Sequence, residues 1–203
     1  MAEPAPARYT MVAIVLHWMI GAAVLALIGI GLTMMHAPIA KADKFRLFQL
    51  HKSIGITVLW LVVARVAWRF AHPPPALPAD MPALERRAAG AAHLGLYAFL
   101  IGLPLTGWAL VSASPLNIPT ILYGLVRWPH LPVLSTLQHK APVEEVFKDI
   151  HTWGAWILIA LVALHIAAAL RHQFVMRDDV FWRMLPIVRR RGGSSRAEGG
   201  PRG

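Results

Sequence analysis

Four stretches of the chain are almost continuously apolar, and each is long enough to cross a membrane. Spanning about 30 Å of hydrocarbon takes roughly 20 helical residues. The four stretches cover residues 10–35, 48–70, 91–113 and 150–170. The pattern therefore predicts an all-α integral membrane protein, a four-helix bundle. We expect the first span to be retained, because no convincing small-residue cleavage site follows it.

The segments between the spans are polar or rich in proline, and they differ in length. Residues 36–47 read as a short polar turn, and residues 71–90 contain three consecutive prolines. The longest connection covers residues 114–149. Within it, residues 118–128 are apolar and aromatic but too few to span, which indicates an interfacial segment lying over the bundle.

Composition and charge agree with membrane residence. Hydrophobic residues make up 57% of the chain and charged residues 15%, which is outside the normal range for a soluble domain. The net charge of +10 does not indicate nucleic acid, because the arginines flank apolar runs or crowd the C-terminal end. We expect residues 1–185 to form the transmembrane domain and residues 186–203 to form a basic disordered tail.

The distribution of Lys and Arg predicts the orientation. Thirteen of the twenty lie beside the two termini and the second connection, and seven lie on the opposite side. The positive-inside rule then places both termini in the cytoplasm.

The chain has ten histidines and no cysteine. The absence of cysteine excludes disulfides, iron–sulfur clusters, thiolate metal sites and covalent attachment of haem. Histidine is therefore the strong ligand available for a transition metal.

Four of these histidines fall into two pairs at two depths. With a rise of about 1.5 Å per residue, His17 and His165 lie level, roughly 10 Å and 9 Å inside the cytoplasmic ends of their spans. His51 and His151 lie level with each other near the opposite surface. His151 and His165 are fourteen residues apart, so that both imidazoles share one helix face about 21 Å apart.

Such pairs suit the axial positions of haem iron in an electron-transfer protein. A single histidine at the end of a membrane helix is more often an interfacial or packing residue. Two pairs that match in depth, each with one member on the fourth span, favour the interpretation that all four histidines bind iron. The alternative from the residues alone is a non-redox histidine-dependent metal or proton transporter. The four spans lack a carboxylate at membrane depth, which favours the redox hypothesis.

Two further residues are candidates for cofactor binding. Lys52, next to His51, is placed to pair with a haem propionate on the outer side. His93, about two residues inside the third span, would bond a propionate, border a quinone site or simply be interfacial, and its shallow position favours the last.

Several segments, in order, resemble the bacterial cytochrome b561 family of small di-haem, quinone-linked cytochromes. They are Ile14 to Trp18, Leu50 to Gly55 leading into Arg65, Ala92 to Gly95, Tyr123 to Leu125 before Leu131 and Pro132, and His151 with Leu164 to Leu170. The likeness extends from about Tyr9 to Met184. Tyr123 stands where the family usually has Phe, and the arginine-rich tail is longer.

The resemblance implies two non-covalent b haems, one on His17 and His165 and one on His51 and His151, in a multi-pass protein of the bacterial cell inner membrane. It also implies a quinone as redox partner and superoxide as a donor on the periplasmic side. A haem-bearing anchor subunit of a hydrogenase-like enzyme would use the same fold. The donor, and assembly into a homodimer or larger redox complex, stay open.

The orientation gives a testable prediction. A reporter that is active only in the periplasm should be silent when fused after Arg196 and active when inserted within residues 134–143. Immunoblots of the two fusions control for their expression. An active fusion after Arg196, with a silent one in the third connection, would reverse the predicted orientation.

Overall fold

The computed structural model describes residues 8–76 and 81–186, and four long helices form its main body. They are α1 (Met11–His36), α2 (Lys41–Ala71), α3 (Ala83–Ser112) and α5 (Lys140–Arg171), with a short helix α4 (Pro132–Ser135) before the last. Each long helix has the length and apolar composition needed to cross a membrane. The predicted all-α membrane bundle is confirmed, whereas the predicted basic tail lies outside the described residues beyond Pro186.

Three of the helices begin earlier than the apolar pattern predicts. α2 begins at Lys41 instead of residue 48, α3 at Ala83 instead of residue 91, and α5 at Lys140 instead of residue 150. The predicted polar turn over residues 36–47 is therefore wrong in its second half. An apolar window marks only the part of a helix suited to hydrocarbon, and a helix continues into polar flanking turns that such a window excludes.

The helices pack closely as sequential neighbours. α1 packs on α2, α2 on α3, and α3 on α5, whereas neither α1 nor α2 packs closely against α5. One buried apolar layer nevertheless joins α1, α2 and α5 at mid-height. It consists of Ile20, Val24, Val58, Val62 and Leu158. Leu158 lies seven residues from both His151 and His165, so this layer separates the two histidine levels.

The predicted interfacial segment, residues 118–128, contains a β-hairpin. Strand β1 (Thr120–Leu122) pairs antiparallel with β2 (Val126–Trp128). Tyr123 and Gly124, in the connecting loop, have φ angles of 51° and 75°, in the left-handed region used by tight hairpin turns. Short strands of three residues give too weak an alternation to be predicted from the sequence.

Polar side chains on the turns of α2 around Ser53 hold this hairpin. The amide nitrogen of Gln49 donates to the carbonyl of Pro119 at 2.9 Å. The buried hydroxyl oxygen of Ser53 accepts the backbone N–H of Tyr123 at 3.0 Å. The hydroxyls of Thr57 and Tyr123 lie 2.7 Å apart. The hairpin is thus tied to the helix turns that carry His51.

The chain returns over the opposite end of the bundle after α5. The indole of Trp18 donates to the carbonyl of Met184 at 2.7 Å, and the guanidinium of Arg8 donates to the carbonyl of Leu185. Arg183 donates to the carbonyl of Ala76 at 2.7 Å. The start of α1 and the segment after α5 therefore lie at the same end of the bundle.

Removing the hydroxyl that holds the hairpin should loosen it. In Ser53→Ala the partly buried N–H of Tyr123 loses its acceptor, which costs about 0.5–1.5 kcal/mol. We expect faster tryptic cleavage after Arg127 in the hairpin, measured by mass spectrometry of the purified protein. Ser135→Ala, which removes a local contact to Pro132, is the control. Equal cleavage rates in the two variants would contradict the assigned role of Ser53.

Candidate functional site

The structure brings the four predicted histidines together in the two expected pairs. The ring centroids of His17 on α1 and His165 on α5 lie 6.0 Å apart. The ring centroids of His51 on α2 and His151 on α5 lie 6.3 Å apart. We refer to these as the inner pair and the outer pair. α5 thus supplies one imidazole to each level, as the fourteen-residue spacing predicts.

These ring separations fit two imidazoles on opposite sides of one metal. An imidazole nitrogen binds a first-row metal at about 2 Å, and the ring centre lies about 1 Å beyond that nitrogen, so two opposed rings have centroids about 6 Å apart. Both pairs meet this distance. The agreement is in the distance between the ring centroids, and it holds for both pairs.

Hydrogen bonds fix the tautomer of His151. Its Nδ1 lies 3.1 Å from the carbonyl oxygen of Leu103 and 3.1 Å from the hydroxyl of Thr106. A carbonyl only accepts, so Nδ1 carries the proton and donates it. Nε2 therefore keeps its lone pair for a metal. A backbone carbonyl that accepts the second N–H is the usual support for a ligating histidine.

His51 shows a different sign of a binding site. Its Nδ1 is buried and has no hydrogen-bond partner among the described residues. Such an atom costs about 1–3 kcal/mol when left unpaired and is typical of a position where a further group binds.

Glycines lie directly against both outer imidazoles. A Cβ on Gly107 of α3 would lie 3.1 Å from Cε1 of His151, and a Cβ on Gly31 of α1 would lie 3.7 Å from Cε1 of His51. The bare backbone lets these rings sit close to neighbouring helices. Because α1 and α2 do not pack closely against α5, the rings span an interhelical separation suited to a flat macrocycle.

His93 lies deeper than its predicted interfacial position. It is ten residues into α3, and its ring centroid is 5.6 Å from that of His165. Counting from residue 91 predicts that His93 is shallower than His165, whereas the ring contact brings the two level. The location of His93 relative to lipid stays a prediction. Nδ1 of His93 lies 2.8 Å from the carbonyl oxygen of Ala89, so this nitrogen donates and Nε2 remains an acceptor. The inner level therefore contains three imidazoles.

Lys52 lies at the outer level, as its neighbour His51 does. Its ammonium group is 3.4 Å from the carbonyl oxygen of Pro119 at the start of the hairpin. The side chain is half-buried. The contact connects the outer pair to the hairpin, and a role toward a propionate stays a prediction.

Two groups of residues at these sites were not predicted from the sequence. The first is Thr106 with the Leu103 carbonyl, which support His151 and give no sequence signal before the register of α3 against α5 is known. The second is Arg65, which bonds to Tyr97 and to the backbone of α1. An arginine within an apolar span is itself a signal of function, but from the sequence Arg65 had a part only in the orientation and in the resemblance, with no site role.

Four membrane-spanning helices with two levels of opposed imidazoles define the class of b-type membrane cytochromes. The sequence profile described as prokaryotic cytochrome b561 matches residues 8–186 of this chain. The chain belongs to that family. It is therefore an electron carrier of the bacterial inner membrane with b-type haem as its cofactor.

Similar curated proteins agree with this assignment. "Cytochrome b561 homolog 2" of Escherichia coli K12 is 33% identical over 181 residues, 89% of this chain and 92% of its own length. "Cytochrome b561 homolog 1" of the same organism is 26% identical over 183 residues, covering 88% and 97%. "Probable superoxide oxidase CybB" of Yersinia pestis is 30% identical over 144 residues, covering 69% and 75%.

The close approach of Gly107 to His151 gives a prediction. In Gly107→Ala the new methyl group would press on the imidazole at 3.1 Å and shift it from the ring of His51. We expect a loss of up to half of the bound haem, measured as haem per protein in the pyridine haemochrome assay.

Gly90→Ala on the same helix is the control, because its Cβ would meet nothing within 4 Å. Full haem content in Gly107→Ala, with unchanged spectra, would show that His151 does not need its present position.

Proposed function

We propose that this protein binds two b haems, one between His17 and His165 and one between His51 and His151. The single observation that carries the proposal is the repetition of one geometry. Two imidazole pairs with centroid separations of 6.0 and 6.3 Å share one helix. Packing alone has no reason to produce the same opposed arrangement at two depths in an apolar bundle.

The side chains of the bundle hold the two groups in place. When bound, haem supplies one-electron redox chemistry at its iron. The two imidazoles of each pair would hold the haem iron, and a haem held by two histidines would supply electron transfer and not oxygen binding. The Leu103 carbonyl restrains the ring of His151, and the packed helices restrain the others. The apolar layer around Leu158 excludes water between the levels and lies on the path that an electron must cross.

We propose that electrons enter at the outer, periplasmic end and leave to a quinone at the inner end. The outer end carries seven Lys and Arg against four acidic residues, and such a surface attracts a small anionic donor. Superoxide fits that charge, and the Yersinia pestis relative carries the name of a probable superoxide oxidase. Family membership favours this redox role over the alternative of a transporter.

His93 and Lys52 have proposed roles beside the two haems. A quinone dissolves in the bilayer and reaches a site from the lipid side. The exposed His93, 5.6 Å from His165, supports a quinone site bordered by this residue. Lys52, half-buried beside His51, supports a cationic contact for the outer haem.

The direct test is the haem content of the purified protein. A reduced-minus-oxidised spectrum should show a b-type cytochrome, and the pyridine haemochrome assay should give two haems per chain. Acid acetone should extract all of it, because no cysteine can tether haem. One haem per chain, or haem left on the protein, would contradict the proposed pairing.

Substitutions should separate the two sites. His151→Ala and His165→Ala should each remove about one haem and leave the other low-spin, since the two positions are about 21 Å apart along α5. Redox titration should then show that His51→Ala removes the same transition as His151→Ala. His36→Ala, an exposed residue at the end of α1, is the control.

His93 gives a separate outcome in the same experiment. Full haem content with slowed quinone reduction in His93→Ala would support the proposed quinone site. Loss of a whole haem in His93→Ala would instead make α3 a source of ligands and overturn the pairing of His17 with His165.

A further inference from the structure

Arg65 lies at the depth of the inner pair. It is six residues before the end of α2 at Ala71, His17 is six residues after the start of α1, and His165 is six residues before the end of α5. At about 1.5 Å per residue, each lies about 9 Å inside its helix end. The Arg65 side chain is half-buried in the bundle. A charged side chain at such a depth is costly and usually has a function.

The contacts of Arg65 join three helices at this level. Its Nη1 donates to the carbonyl of Ala13 on α1, and its Nε donates to the hydroxyl of Tyr97 on α3 at 3.2 Å. Ala13 is the residue whose carbonyl pairs with the N–H of His17 in the helix. Tyr97 lies one turn after His93. The guanidinium group is therefore fixed between the turn that carries His17 and the turn that follows His93.

The charge of Arg65 has no acidic partner in the part of the chain that the structure describes. The ion pairs found there involve Arg46, Lys148, Arg171 and His172. Both recorded partners of Arg65 are neutral oxygens. A guanidinium group keeps its proton in proteins, so a full positive charge remains at this depth. In a low-dielectric interior such a charge acts more strongly than in water.

We propose that Arg65 is a positioning residue for the inner haem and that its fixed charge raises the reduction potential of that haem. Reduction adds one electron to the iron, and a nearby positive charge stabilises the reduced form. The inference rests on the proposed function, because it requires a haem between His17 and His165. It adds a physical basis for the direction of electron flow from the outer to the inner haem.

The cation at the outer level is Lys52, and it contacts the connection that covers the end of the bundle. The ammonium group of Lys52 points to the carbonyl of Pro119 in the connection that covers the end of the bundle. A charge near that surface is screened by water and salt over about 10 Å. Arg65 is therefore the charge whose removal should shift the potential of the inner haem.

The experiment is a spectroelectrochemical titration of the purified holoprotein and four variants. Arg65→Gln removes the charge, Arg65→Lys keeps the charge without the planar fork, and Tyr97→Phe keeps the charge but removes one bond. Arg69→Gln is the matched control, since it removes an exposed arginine one turn further along α2. The transition lost in His165→Ala identifies the inner haem.

We expect Arg65→Gln to lower the reduction equilibrium constant of the inner haem at least tenfold, a shift of about 59 mV for one electron. Arg65→Lys, Tyr97→Phe and Arg69→Gln should each change it by less than threefold. The outer transition should stay in place in all four variants.

An unchanged inner potential in Arg65→Gln, or an equal shift in Arg69→Gln, would overturn the proposal while leaving two haems per chain and the proposed function intact. If Arg65→Gln does not assemble with haem, Arg65→Lys is the deciding variant. A tenfold decrease in the reduction equilibrium constant of the inner haem in Arg65→Lys, which keeps the charge, would also overturn the proposal. Absence of haem from the unsubstituted protein would instead refute the proposed function.

Discussion

The need to satisfy polar groups inside an apolar medium determines how this bundle is built. Each spanning helix satisfies its own backbone, but imidazole and guanidinium groups within the spans need acceptors from their own or a neighbouring helix. The Leu103 carbonyl serves His151, the Ala89 carbonyl serves His93, and the Ala13 carbonyl serves Arg65. Backbone carbonyls are therefore the acceptors that orient these three polar side chains, of which His151 is a proposed haem ligand.

The fold follows from this constraint together with the glycines of the first and third helices. A helical carbonyl can accept a second bond from a side chain of another helix where that helix comes close, and Gly107 permits such an approach beside His151. The remaining separation between α5 and the pair α1 and α2 is wide enough for opposed rings. The apolar layer around Leu158 then fills the bundle at mid-height and separates the two histidine levels.

The sequence predicted the long-range pairing well because helical rise converts residue number into depth. His17 with His165, and His51 with His151, needed only span ends and a rise of about 1.5 Å per residue. The same arithmetic, counted from residue 91, put His93 shallower than His165, although the two rings lie 5.6 Å apart. The support of His151 by Thr106 and Leu103 depends on the register of α3 against α5, which no periodicity encodes. The hairpin was missed because its strands have three residues each.

The position of two proposed ligands on one helix limits how this chain can vary in length. One residue inserted between His151 and His165 would rotate the second imidazole by about 100° around α5, whereas seven residues would nearly restore its direction and raise it by about 10 Å. Insertions in the third connection, before α5, would leave the directions of His151 and His165 around α5 unchanged relative to each other. The thirteen residues between His151 and His165 are therefore the segment in which insertions and deletions should be least tolerated, although none of them is itself a proposed ligand.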